Sequence, residues 1–114
     1  MTDTTIIRRT GQAPLRVRGE LLVKAESSMN NASVEYSGAP GRSQMVRIYR
    51  TVSGRFVVAI RHNTIWQGEH DTDEADVFPS LRMCVAHLED RVPGWMLQDI
   101  LKALGEETVA EEIA

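Results

Sequence analysis

The sequence predicts an α+β domain: an antiparallel β-meander of three to four strands followed by two short C-terminal helices packed on one sheet face. Three observations carry that expectation. Apolar residues alternate with period two in segments between Leu15 and Ile60, they recur at helical spacing from Leu81 to Leu104, and the change of period falls once, at Pro79-Ser80. Strands gathered ahead of helices, rather than interleaved with them, point to α+β.

Residues 1–14 are rich in Thr, Arg and Gly with little periodicity, and they read as a flexible N-terminal arm. The single domain is expected over residues 15–105. Its first element, Leu15 to Glu26, sets Leu15 and Val17 against Arg16 and Arg18, then continues through Leu21, Val23 and Ala25. Gly19 inside that pattern predicts a bulge or bend in one long strand. Residues 27–44 are almost all turn-formers and read as a long polar loop of the kind that is functional or disordered. Asn31-Ala32-Ser33 within it matches a glycosylation sequon, read as chance because no secretion signal precedes it.

Val46–Thr51 and Arg55–Arg61 form the clearest hairpin. A two-residue loop at Ser53-Gly54 would put Arg47 on the face of Phe56, Val58 and Ile60. A three-residue loop, Val52-Ser53-Gly54, instead gathers Val46, Ile48, Phe56, Val58 and Ile60 on one face. It leaves Arg47, Tyr49, Arg55 and Arg61 on the other, with Gly54 in the left-handed position, and this register is the one expected. Asn63 then marks a turn, Thr64–Gln67 a third strand, Glu69–Glu74 an acidic connector, and Ala75–Phe78 a short fourth strand. Ser80 is placed to cap the first helix, whose stripe is Leu81, Cys84, Val85, Leu88 and Val92. Pro93-Gly94 breaks it, and Met96, Leu97, Ile100, Leu101 and Leu104 make a second stripe that Gly105 ends. Residues 106–114 read as an acidic tail.

Composition excludes several classes. Of the 114 residues 42% are hydrophobic and 25% charged, close to globular averages, so a collagen-like, wholly disordered or disulfide-stapled chain is ruled out. The longest apolar run, Phe56 to Ile60, is far too short for a membrane-spanning helix. A single cysteine and no apolar leader lead to the expectation of a cytoplasmic protein with no membrane partner. The net charge of −3 conceals a strong polarity. Residues 1–68 hold ten Arg and Lys against four Asp and Glu, while residues 69–114 hold three against twelve.

No constellation for catalysis is found. His62, His70, His87 and Cys84 lack the paired spacing of a metal site, and Cys84 already belongs to an apolar stripe. Asp71-x-Asp73 opens like a calcium loop, but Asp76 stands where glycine is needed and Arg82 where glutamate is needed. There is no nucleophile elbow, and Gly38–Ser43 lacks the lysine and spacing of a phosphate-binding loop. The expectation is no enzyme, no cofactor and no metal.

Two binding surfaces remain. Glu69, Asp71, Asp73, Glu74 and Asp76 form an acidic segment suited to docking on a protein partner or on a second copy of the chain. Such a segment can occupy a basic nucleic-acid groove, as small inhibitors of defence nucleases do. Alternatively Arg47, Tyr49, Arg55 and Arg61, extended by Arg16 and Arg18, form a basic and aromatic sheet face for nucleic acid. Both surfaces also suit a plain solvated exterior.

The run Arg47-Ile48-Tyr49-Arg50-Thr51-x-x-Gly54-Arg55-Phe56-Val57-Val58, followed by Val77-Phe78-x-Ser80-Leu81 and two short helices, resembles the EXLDI family of small bacterial proteins. The resemblance covers roughly residues 45–114 and implies a strand pair, a helix pair and a bacterial accessory role without an assigned activity. Where that family carries Glu-x-Leu-Asp-Ile, this chain reads Glu111-Glu112-Ile113-Ala114.

Overall fold

The computed structural model describes residues 3–27, 42–64 and 67–105. Most of the 27–44 loop, Ile65 and Trp66 of the expected third strand, and the acidic tail lie outside them. The described residues form β1 (Asp3–Arg9), β2 (Gln12–Glu26), β3 (Arg42–Thr51), β4 (Phe56–Thr64), β5 (Thr72–Phe78), α1 (Leu81–Glu89) and α2 (Gly94–Leu104). The strands make one antiparallel sheet in sequential order, β1-β2-β3-β4-β5. The expected α+β order, a meander and then two helices on one sheet face, is what the chain adopts, with five strands.

Residues 3–9, expected as part of an arm, instead pair with β2. Both halves of β2 are used: residues up to Gly19 pair with β1, and residues from Gly19 onward pair with β3. The changeover bends the strand at Gly19, and a register shift follows between Leu21 and Val23. A Cβ at Gly19 would lie 2.0 Å from the Arg50 carbonyl oxygen and 2.9 Å from Thr51 Cα, so only glycine lets the two backbones approach this closely. The bend folds the β1–β2 hairpin over the sheet. At its far end the Thr10 N–H donates to Asp73 O, and the Asp73 N–H donates to Thr10 Oγ1, both at 2.8 Å.

The β3–β4 turn has the expected three-residue form. Ile48 faces Val58, Val46 faces Ile60, and Gly54 takes φ 86°. Asn63 does not turn the chain; β4 runs on to Thr64, with Asn63 paired to Ser43 and its Oδ1 accepting from Arg61 Nε at 2.9 Å. β3 correspondingly starts at Arg42, inside the segment expected as loop.

Two apolar clusters lie on opposite faces of β3 and β4. On one face Val23, Val46, Ile48, Val58 and Ile60 meet Leu81, Cys84, Leu88, Val92, Met96 and Ile100 of the helical region. On the other, Tyr49, Val57, Ala59 and Ala75 meet Ile7 and Val17 of the folded-over hairpin. β4 is therefore buried on both sides, from Val57 through Ile60. Ser80 caps α1 by accepting from the Met83 N–H at 3.2 Å, and Gly105 closes α2 with φ 82°. No helix among the described residues is long and apolar enough to cross a membrane.

Candidate functional site

The expected connector is shorter than its acidic run: β5 already begins at Thr72, so Glu69 and Asp71 precede the strand, while alternation along it divides Asp73 from Glu74 and Asp76 between the two sheet faces. Asp71 and Asp73 both lie against Arg61, whose Nη1 donates to Asp73 Oδ2 at 2.8 Å and whose Nη2 donates to Asp71 Oδ2 at 3.1 Å. Asp71 also accepts from the Thr64 N–H, and Glu69 accepts from Thr64 Oγ1. Glu74 and Asp76 project to the helical side. There Arg91 Nε donates to Glu74 Oε1 at 2.9 Å, His62 Nε2 lies 3.4 Å from Glu74 Oε2, and His87 Nε2 lies 3.5 Å from Asp76 Oδ2. Each of the five acids has a partner within the chain.

The four residues of the expected basic face are likewise redistributed. Tyr49 is 6% exposed, packed beneath the β1–β2 hairpin, so its ring offers no stacking surface. Its hydroxyl accepts from Arg47 Nη1 at 3.0 Å, and the guanidinium lies 5.8 Å from the ring centroid. Arg47 is half-buried, and its Nε finds no hydrogen-bond partner among the described residues. Arg61 is held by Asp71 and Asp73, which leaves Arg55, exposed beside the β3–β4 turn. Arg47, Tyr49 and Arg61 share a sheet face, as expected, but a second layer covers part of it.

A different basic surface lies on the outside of that layer. Arg8, Arg16 and Arg18 are all exposed on the outer face of the β1–β2 hairpin, opposite the inward Ile7 and Val17. Thr4 pairs with Arg18 and Ile6 with Arg16, so Ile6, 55% exposed, sits between Arg16 across the ladder and Arg8 two residues along. None of the three arginines has an ion-pair partner among the described residues, whereas the neighbouring Glu20 on the same face is bound by Arg50. The Val52 N–H donates to Arg18 O at 2.9 Å, which brings the turn preceding Arg55 to the end of this stripe. Arg16 and Arg18 were legible in the sequence as outward residues of β2; Arg8 was not, because β1 was not.

Cys84 is fully enclosed by the helical cluster, and its burial pushes the thiol from 9.0 up to about 12, so it is not a nucleophile at neutral pH. Trp95 packs against the same cluster as a core anchor, its Nε1 without a hydrogen-bond partner among the described residues. Comparison with protein-family models, with curated proteins and with solved structures finds no match for the chain.

Proposed function

We propose that the protein acts by binding rather than by catalysis, and that its working surface is the outer face of the β1–β2 hairpin, which takes the phosphates of a nucleic acid. The observation that carries this reading is the stripe of Arg8, Arg16 and Arg18, exposed and without ion-pair partners among the described residues, around the exposed Ile6. Guanidinium groups match phosphate oxygens bidentately, and alternate residues of a strand stand about 6.8 Å apart, so the stripe meets successive anionic groups of an extended partner. The chain's overall charge of −3 does not oppose this. At 0.1 M salt the field is screened within about 10 Å, and the β5 carboxylates are partly neutralised by Arg61 and Arg91.

The acidic segment supports the alternative, a protein-docking surface, less well, because its carboxylates already satisfy groups of this chain. The test is a titration of labelled single- and double-stranded oligonucleotides at several salt concentrations, with the wild type and an Arg8→Ala/Arg16→Ala/Arg18→Ala variant. Binding is expected to weaken with salt, and the variant to lose affinity while the magnitude of its log–log salt slope falls by roughly 3, about one per phosphate contact. All three side chains are exposed, so the circular dichroism and melting temperature of the variant should match the wild type. Absence of binding at low salt, or equal binding by the variant, refutes the reading.

A further inference from the structure

The His87 side of β5 carries a second, chemically distinct arrangement. Glu74 and Asp76 are two residues apart on one strand and so project to the same face, where α1 returns His87 toward them. One ligating atom from each of the three lies within 4.8 Å of the other two. His87 Nε2 is 3.5 Å from Asp76 Oδ2 and 4.0 Å from Glu74 Oε1. Four-coordinate zinc, with ligand bonds of about 2.0–2.2 Å, sets neighbouring ligand atoms roughly 3.3–3.6 Å apart. One of these separations already matches, and the other needs a shift of about half an ångström. The imidazole itself is held, its ring packed 4.9 Å from that of Phe78.

The surroundings orient the Glu74 carboxylate. Gln44 Nε2 donates to the Arg91 carbonyl at 2.8 Å, which fixes which end of the amide is the donor. The same nitrogen lies 3.4 Å from His62 Nδ1, an acceptor only where that ring nitrogen carries no proton. The His62 tautomer that accepts there carries its proton on Nε2, which faces Glu74 Oε2 at 3.4 Å. Both contacts are long, but their polarity makes His62 a positioning residue rather than a fourth ligand, in the way outer-shell hydrogen bonds set carboxylate ligands. Arg91, on Glu74 Oε1, is the competitor that an incoming cation must displace or share.

We propose that Glu74, Asp76 and His87 form a binding site for a divalent transition-metal ion of the zinc type, with the remaining coordination position open to water. One imidazole with two carboxylates favours such an ion over magnesium or calcium, which take oxygen ligands alone. The ion joins β5 to α1 and so ties the helical layer to the sheet. This assignment is independent of the hairpin surface and stands or falls separately from it.

The test uses the full chain, free of any affinity tag and stripped with chelator, titrated with zinc chloride by calorimetry alongside thermal melting. Saturable binding of one ion per chain is expected, with a melting temperature that rises as zinc is added. Asp76→Asn and His87→Gln should each weaken binding at least about tenfold, His62→Gln should weaken it less, and His70→Gln, at an exposed position away from the triad, should leave it unchanged. Arg91→Ala should tighten it. Asp76 is exposed, so its variant carries the test even where His87→Gln does not fold. No binding at millimolar zinc, unchanged affinity in Asp76→Asn, or magnesium binding as tight as zinc each overturns the site.

Discussion

Cys84 shows how one side chain registers the packing around it. It has no exposed surface, and desolvation of the thiolate outweighs the backbone hydrogen bond that favours it, lifting the thiol from 9.0 to about 12. A folded-state value above the unfolded one means that the contribution is fully present below pH 9.0 and is lost as pH rises toward about 12. Urea midpoints measured across that window should therefore fall more steeply for the wild type than for Cys84→Ala, with the two slopes converging below it. Iodoacetamide at pH 8 should alkylate the thiol slowly in the native protein and quickly in urea; a native rate equal to that of a free thiol contradicts the assignment. Cys84 was legible as a core residue because it shares a helical stripe with Leu81 and Leu88. Tyr49 was not. Alternation says that Tyr49 and Ile48 face opposite ways, and it is silent on whether a second layer lies above either face.

β2 is the element on which the fold turns, and Gly19 is its pivot. The residue pairs with Asp3 on one side and Thr51 on the other, and the space beside its Cα is filled by the backbone of Arg50 and Thr51. Because backbone atoms cannot rotate away as a side chain does, Gly19→Ala must force β2 and β3 apart. A loss of about 1–3 kcal/mol, or more, is expected from such overpacking, read from the urea midpoint, and an unchanged midpoint would show that the corner yields freely. The bend and the three-residue β3–β4 loop could be read from the chain, since both rest on short-range rules of period, loop length and glycine conformation. β1 could not, and its sequence explains why. Thr4-Thr5, Ile6-Ile7 and Arg8-Arg9 are doublets that give each face one member of every pair, which erases the alternation. β5 hides for a related reason. Its acids point to both faces because Arg61 waits on one and Arg91, His62 and His87 on the other, so the segment reads as a continuous charge run.

At the scale of the molecule, the most telling stretch is Phe56–Ile60, the same apolar run that is too short for a membrane span. An antiparallel strand with one wet face alternates; a run without polar interruption belongs to a strand covered on both sides. β4 is that strand, with the β1–β2 hairpin over Val57 and Ala59 and the helices over Val58 and Ile60. The two clusters therefore share β3 and β4 as their common wall, with Val23 of β2 adding to the helical cluster and Ala75 of β5 to the hairpin cluster. This arrangement predicts one cooperative unfolding transition rather than separate loss of hairpin and helices. Ile7→Ala in the hairpin layer and Leu88→Ala in the helical layer should each cost about 2–5 kcal/mol, and both should move the same transition. Hydrogen exchange should be slowest at the amides of Val57 through Ile60 and their β3 partners, and it should accelerate there in both variants alike. If Ile7→Ala instead splits the transition, leaving the helical layer and β4 protected while the hairpin exchanges freely, the hairpin is a separately opening unit. Its arginine face would then be presented on a mobile ribbon rather than on a fixed wall.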